Sequence, residues 1–147
     1  MKKLIALVLW ALICPQFALA QGPQRLCFTT NGNNCVPAVQ ASNSVKIDNA
    51  SATTVELVAL VANKTIFVTH FDVNSAGTGT IKFVYGTGTN CGTGTTDLTG
   101  AYALVANGYI NAGNGLGVII PVPRSNALCI TTTGAVQRSG LVSYAQF

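Results

Sequence analysis

The chain has 147 residues, only 8% of them charged, and a formal net charge of +4 at pH 7. A soluble domain ordinarily devotes about a quarter of its residues to charge, so the polar surface here must come from Thr, Asn, Ser, Gln and exposed backbone. The cations are scattered, which excludes a nucleic-acid footprint built on a basic patch with several phosphate contacts.

At the N-terminus, Lys2 and Lys3 precede an apolar run over residues 4–13, Pro15 breaks it, and Ala18-Leu19-Ala20 fits the small-x-small cleavage rule. Residues 1–20 therefore read as a cleavable signal peptide. The apolar run is too short for a bilayer, which needs about 20 residues, so no integral membrane span is expected after cleavage. The chain is read as exported, to the periplasm or the extracellular medium. The remaining 21–147 is one domain in size, with no room for two. It carries six basic residues (Arg25, Lys46, Lys64, Lys82, Arg124, Arg138) and four acids (Asp48, Glu56, Asp72, Asp97), a net +2 spread along the chain.

Residues 21–44 read as an arm, with Pro23, Pro37 and no sustained periodicity. Once Cys14 leaves with the signal peptide, four cysteines remain: Cys27, Cys35, Cys91 and Cys129. An even number in a small exported domain indicates disulfides. Three pairings exist. The favoured one joins Cys27 to Cys35 around the turn-prone Asn31-Gly32-Asn33-Asn34, and Cys91 to Cys129. Zinc is the weaker reading, because the sequence has no C-x-x-C pair. No metal and no cofactor are expected.

From residue 45 onward the pattern is β. Short β-branched and aromatic runs are expected as strands at 45–47, 54–61, 65–73, 80–85, 99–106, 109–112, 116–122, 127–133 and 138–147. Over 54–61 periodicity alone leaves a short helix open; β-branched content favours a strand. The runs 65–73 and 80–85 flank Asn74-Ser75-Ala76-Gly77-Thr78-Gly79 and read as a hairpin. Pro121 and Pro123 place the end of 116–122 at a sheet edge. Turns every eight to twelve residues predict an all-β fold: a single antiparallel β-sandwich over 45–147, jelly-roll-like.

Few residues invite a chemical role. The loop around Gly86-x-Gly88 and Gly92-x-Gly94 lacks the G-x-G-x-x-G spacing and the Gly-Lys-Ser/Thr ending of phosphate loops. A strand, rather than a helix N-terminus, is expected to follow it. It reads as a connection pinned by Cys91, with Asn90, Thr93 and Thr95 as candidate binding residues at its tip. His70 is the only histidine. Strict alternation over 65–73 would set it on one face with Ile66, Val68 and Asp72, without a recognisable nucleophile. No catalytic residue is assigned, and no enzymatic activity is expected. Exposed tyrosines could present a sugar platform, although most aromatic residues in strands pack inward.

The segment RLCFTTNGNNCVPAV resembles the Leu-Cys-aromatic…Gly-Asn-x-Cys-Val-Pro opening of small exported proteins encoded by tailed phages, prophages and their bacterial hosts. The segments VKIDNASATTVELVAL, FVYGTGTNCGTGTTDLTGAY and NALCITTTGAVQRSGLVSYAQF are similar to the rest of that group. The resemblance covers nearly all of 21–147. It implies phage association and a β fold, and it supplies no activity. Two functions follow as expectations. One is a non-enzymatic phage-related structural or surface protein, decorating a virion or acting at the host envelope, with itself or virion proteins as partners. The other is an exported carbohydrate- or surface-binding module with a cell-surface glycan as partner.

Overall fold

The computed structural model describes the strand backbones at 25–27 and 35–37 and all of residues 39–147. Strands β1 (Arg25–Cys27) and β2 (Cys35–Pro37) form a two-stranded antiparallel ribbon whose register sets Cys27 opposite Cys35. The signal peptide and the side chains of the expected Cys27–Cys35 bridge lie outside the described residues.

The rest is a β-sandwich. Its first sheet contains β3 (Asn43–Asn49), β5 (Ile66–Ser75), β9 (Gly108–Gly113), β10 (Ile120–Val122) and β12 (Arg138–Gln146). The order runs β3–β12–β5, and the outer edge of β5 is shared by β10 and β9, one after the other. The second sheet contains β4 (Thr54–Val58), β6 (Gly79–Thr87), β7 (Thr93–Asp97), β8 (Tyr102–Leu104) and β11 (Ala127–Thr132). Its order is β4–β11–β6, with β7 and β8 sharing the outer edge of β6. Each sheet therefore ends in a split edge. The segment 54–61 forms a strand over its first part, and Ile120–Val122 sits at an edge, as its prolines require.

The sheets close on one apolar core. Ile47, Phe71, Val73 and Val142 from the first face Ile81, Phe83, Leu128 and Ile130 from the second, each at most 2% exposed. Burial of side chains this size contributes about 1.5–3 kcal/mol apiece. The rings of Phe71 and Phe83 meet across the sheets at 4.7 Å.

Two expectations are corrected. The strands of the expected hairpin, β5 and β6, belong to opposite sheets, and residues 76–78 carry the chain between them. Each strand buries one face in the same core, so alternation is alike whether they pair or stack. The face assigned to His70 is also reversed. The β5–β12 register pairs Val68 with Tyr144 and His70 with Ser143, leaving Thr69 as an extra residue. This bulge inverts the alternation. Ile66 and Val68 point into the core, whereas His70 and Asp72 are half-buried on the outward face.

Arg138 is fully buried at one end of the core. Its Nη1 donates to the Val136 carbonyl at 3.2 Å and its Nη2 to the Thr133 carbonyl at 3.3 Å. Among the described residues no carboxylate pairs with it, and its Nε has no partner. Burial pushes the guanidinium below its usual value.

Candidate functional site

The glycine-threonine segment lays its turn at Thr89–Cys91 over the outward face of the second sheet and then adds a strand to that sheet's edge. β6 ends at Thr87, a single 3-10 turn spans Thr89–Cys91, and β7 returns antiparallel to β6. The sequence places residues 93–97 in the loop and the next strand at 99–106. The three threonines of Thr93–Asp97 instead form an exposed edge strand, and Leu98 and Thr99 both donate backbone N–H groups to the Phe83 carbonyl. The strand expected at 99–106 is thereby shortened to Tyr102–Leu104.

Cys91 is buried with Val84, Ala127 and Cys129 in a second small cluster outside the main core. The expected Cys91–Cys129 disulfide is formed, with Cα atoms 6.3 Å apart. Asn90 occupies the left-handed region at φ 53°, and its Oδ1 accepts the Glu56 backbone N–H at 3.1 Å. The Thr95 hydroxyl donates to the Cys91 carbonyl. The side chain of Thr93 is exposed, and among the described residues no hydrogen bond engages its hydroxyl. Of the three candidate binding residues, Asn90 and Thr95 thus hold the loop in shape, and Thr93 faces solvent.

His70 is similarly committed. Its Nδ1 lies 3.1 Å from the Gly113 carbonyl and its Nε2 lies 3.4 Å from Asp72 Oδ2. A carbonyl only accepts, so Nδ1 carries a proton. Ser143 sits opposite His70 in the register, and among the described residues no hydrogen bond joins its hydroxyl to either ring nitrogen. Among the described residues no group of three His, Cys, Asp or Glu side chains converges as a metal site.

A concave feature of the described residues lies where the split edges of the two sheets face each other. A cleft of about 370 Å³ opens between the β7–β8 and β9–β10 junctions, floored by Phe71 and walled by Leu98, Tyr102, Ala112, Ile120 and Pro121. Asp97 and Thr99 line it too. The Asp97 carboxylate is already paired with Lys82 at 2.8 Å, and Thr99 Oγ1 accepts the Phe83 N–H at 3.0 Å. The cleft therefore presents aromatic and aliphatic surface with one neutralised acid beside it. Sequence reasoning missed it. The one available signal was the pair of interruptions that break each edge into two short strands. The tyrosines do not form a common platform. Tyr102 lines the cleft, Tyr109 is 61% exposed, and Tyr85 and Tyr144 pack against the core.

No family model matches the chain, and no curated protein matches it. Among solved structures, a chain of the T13 IBDV viral particle aligns with 83% of this chain at 11% identity and a TM-score of 0.35. The protein covers 36% of that chain. A likeness this low carries neither fold nor function. Among the described residues, no helix is long and apolar enough to cross a membrane.

Proposed function

We propose that the protein is a non-enzymatic structural or surface component built on a jelly roll, phage-related, and located on a virion or at the host envelope. The observation that carries this reading is strand order. Counting each split edge as one strand gives eight positions in chain order: β3, β4, β5, β6, β7/β8, β9/β10, β11 and β12. The first sheet then runs 1-8-3-6 and the second 2-7-4-5, an order that supports a jelly roll, in which two Greek keys interleave. That architecture serves viral capsid and lectin domains, an analogy of fold that leaves the site to be argued separately. The stapled loop and the threonine-rich edge support a rigid display scaffold. Mass spectrometry of purified virions and of the periplasm, medium and envelope of producing cells tests the reading. The mature chain, from residue 21 onward, should be found in the virion or on the envelope. Recovery only as free soluble protein would overturn it.

The cleft favours a second reading, an exported carbohydrate-binding module. Sugar rings stack on aromatic faces such as Tyr102, and hydroxyls beside them suit Asp97 and Thr99. On this reading Tyr102→Ala abolishes glycan retention on an array at temperatures where circular dichroism shows the variant folded, although the loss of its packing on the core lowers the melting temperature. Equal retention by both proteins would exclude the cleft.

A further inference from the structure

The outer edge of β3 carries a charge pattern that complements itself. Among the described residues β3 pairs with β12 alone, and β1 and β2 pair only with each other. Residues 39–42, which enter β3, come from the far side of the sheet. There the Val39 carbonyl accepts the Gly117 N–H at 3.1 Å, and the Ala41 N–H donates to the Gly115 carbonyl at 3.4 Å. Gly115 and Gly117 lie between β9 and β10, beyond β5. The backbone of β3 can be oriented through the ladder, in which successive residues face opposite neighbours. On β5 the Ser75 carbonyl accepts the Asn107 N–H at 2.7 Å beside β9, whereas the Ala76 N–H donates to the Gln137 carbonyl at 2.9 Å beside β12. Asn74 and Asp72 thus face β12, opposite Ser139 and Leu141. Arg138, Gly140 and Val142 then face β3, opposite Asn49, Ile47 and Val45. This turns the backbone groups of Ser44, Lys46 and Asp48 outward.

The side chains of Lys46 and Asp48 stand together on the solvent face, 77% and 55% exposed and 2.9 Å apart. Ile47 between them is buried in the core. A lone lysine on an edge strand opposes pairing with another chain. A lysine and an aspartate two residues apart favour it in one register. When a second β3 lies antiparallel to the first about a two-fold axis at Ile47, Lys46 of each copy falls opposite Asp48 of the other. The outward backbone groups of these residues then meet as hydrogen-bonded pairs, and the four charges alternate in sign. Centring the axis on Lys46 instead would set Lys46 against Lys46, and like charges directly opposite destabilise a strand pair. The charge order therefore selects both the partner and its register.

We infer that the protein pairs with a second copy of itself along β3, joining the two first sheets into one continuous sheet. The inference deepens the structural-component reading, on which it rests, by naming a partner, an edge and a register. Sedimentation velocity of the purified protein, from micromolar to near-millimolar concentration, tests it. A monomer–dimer equilibrium is expected, and it should weaken as salt rises through the physiological range. Lys46→Glu should weaken association about tenfold or more, because two opposite-charge pairs become two like-charge pairs. Lys46→Glu combined with Asp48→Lys should restore it to within about threefold of the native protein. Circular dichroism should show both variants folded, since the two side chains are exposed. A monomer at every concentration, a dimer indifferent to Lys46→Glu, or a double variant no stronger than the single one would each overturn the inference. A monomer together with recovery in virions would remove this partner while leaving the structural-component reading in place. A dimer with the expected variant pattern, recovered only as free soluble protein, would support the pairing and overturn that reading.

Discussion

Gly86 lies directly beneath Cys91. A β-carbon placed on Gly86 would come within 2.8 Å of the Cys91 carbonyl oxygen, 2.9 Å of the Thr93 carbonyl oxygen and 3.1 Å of the Cys91 β-carbon. The glycine is there for closeness of approach: it lets the loop lie flat on the sheet so that Cys91 can reach Cys129. Because the obstructing atoms are mostly backbone, they cannot rotate away. Gly86→Ala should lift the loop and lower stability by about 1–3 kcal/mol. Urea unfolding measures this, and a change below about 0.5 kcal/mol would mean that the loop is seated less tightly than described.

Removing the staple should cost more. The disulfide closes a separation of 38 residues. By the chain-entropy account its loss destabilises the protein by about 4 kcal/mol, and it also opens the Val84–Ala127 cluster. The double variant Cys91→Ser, Cys129→Ser should melt roughly 10 °C or more below the native protein. Calorimetry showing equal melting temperatures would rule the staple out as a major source of stability.

The loop-tip residues should separate by role. Asn90→Ala removes the acceptor for the Glu56 N–H and forces alanine into a left-handed backbone, at a cost of about 1–2 kcal/mol. Thr93→Ala should be neutral within about 0.5 kcal/mol. Chemical denaturation of the two single variants checks the ranking. Equal costs would contradict the structural role given to Asn90.

Arg138 offers a test of a buried charge without a counter-ion. Arg138→Met keeps most of the volume and removes the charge, and should lie within about 1–2 kcal/mol of the native protein. Arg138→Ala leaves a cavity and should cost about 3 kcal/mol or more. If urea unfolding finds methionine as damaging as alanine, the two carbonyl hydrogen bonds outweigh desolvation.

Asp48 sets an acid-side signature. Hydrogen bonds from Lys46 and then Gln137, with the Lys46 charge, hold its carboxyl below the ordinary 3.8. A carboxyl depressed in the folded state stabilises the fold above its unfolded value, and that contribution is lost as pH falls through the lower folded value. The site is fully exposed, so the effect on stability is small and screened by salt. NMR titration should place the Asp48 midpoint below 3.8, and Lys46→Gln should move it upward. A midpoint unmoved by that substitution would remove Lys46 as the main cause.

The sequence by itself determined the β class and most strand positions. Alternation such as Ile81, Phe83 and Tyr85 requires one face to be buried, and turn residues separate the runs. It also favoured Cys91–Cys129, the bridge that the structure contains. Only the tertiary structure decided what each buried face meets. β5 and β6 show the same alternation whether they pair or stack, and their assignment to opposite sheets depends on backbone partners far along the chain. The bulge at Thr69 turned His70 outward, a one-residue shift that no local pattern records. The strand at Thr93–Asp97 was hidden for a related reason: its residues are exposed throughout, so no hydrophobic period marks it. The cleft and the loop seat on Gly86 arise from segments distant in sequence, brought together by sheet closure and backbone hydrogen bonds.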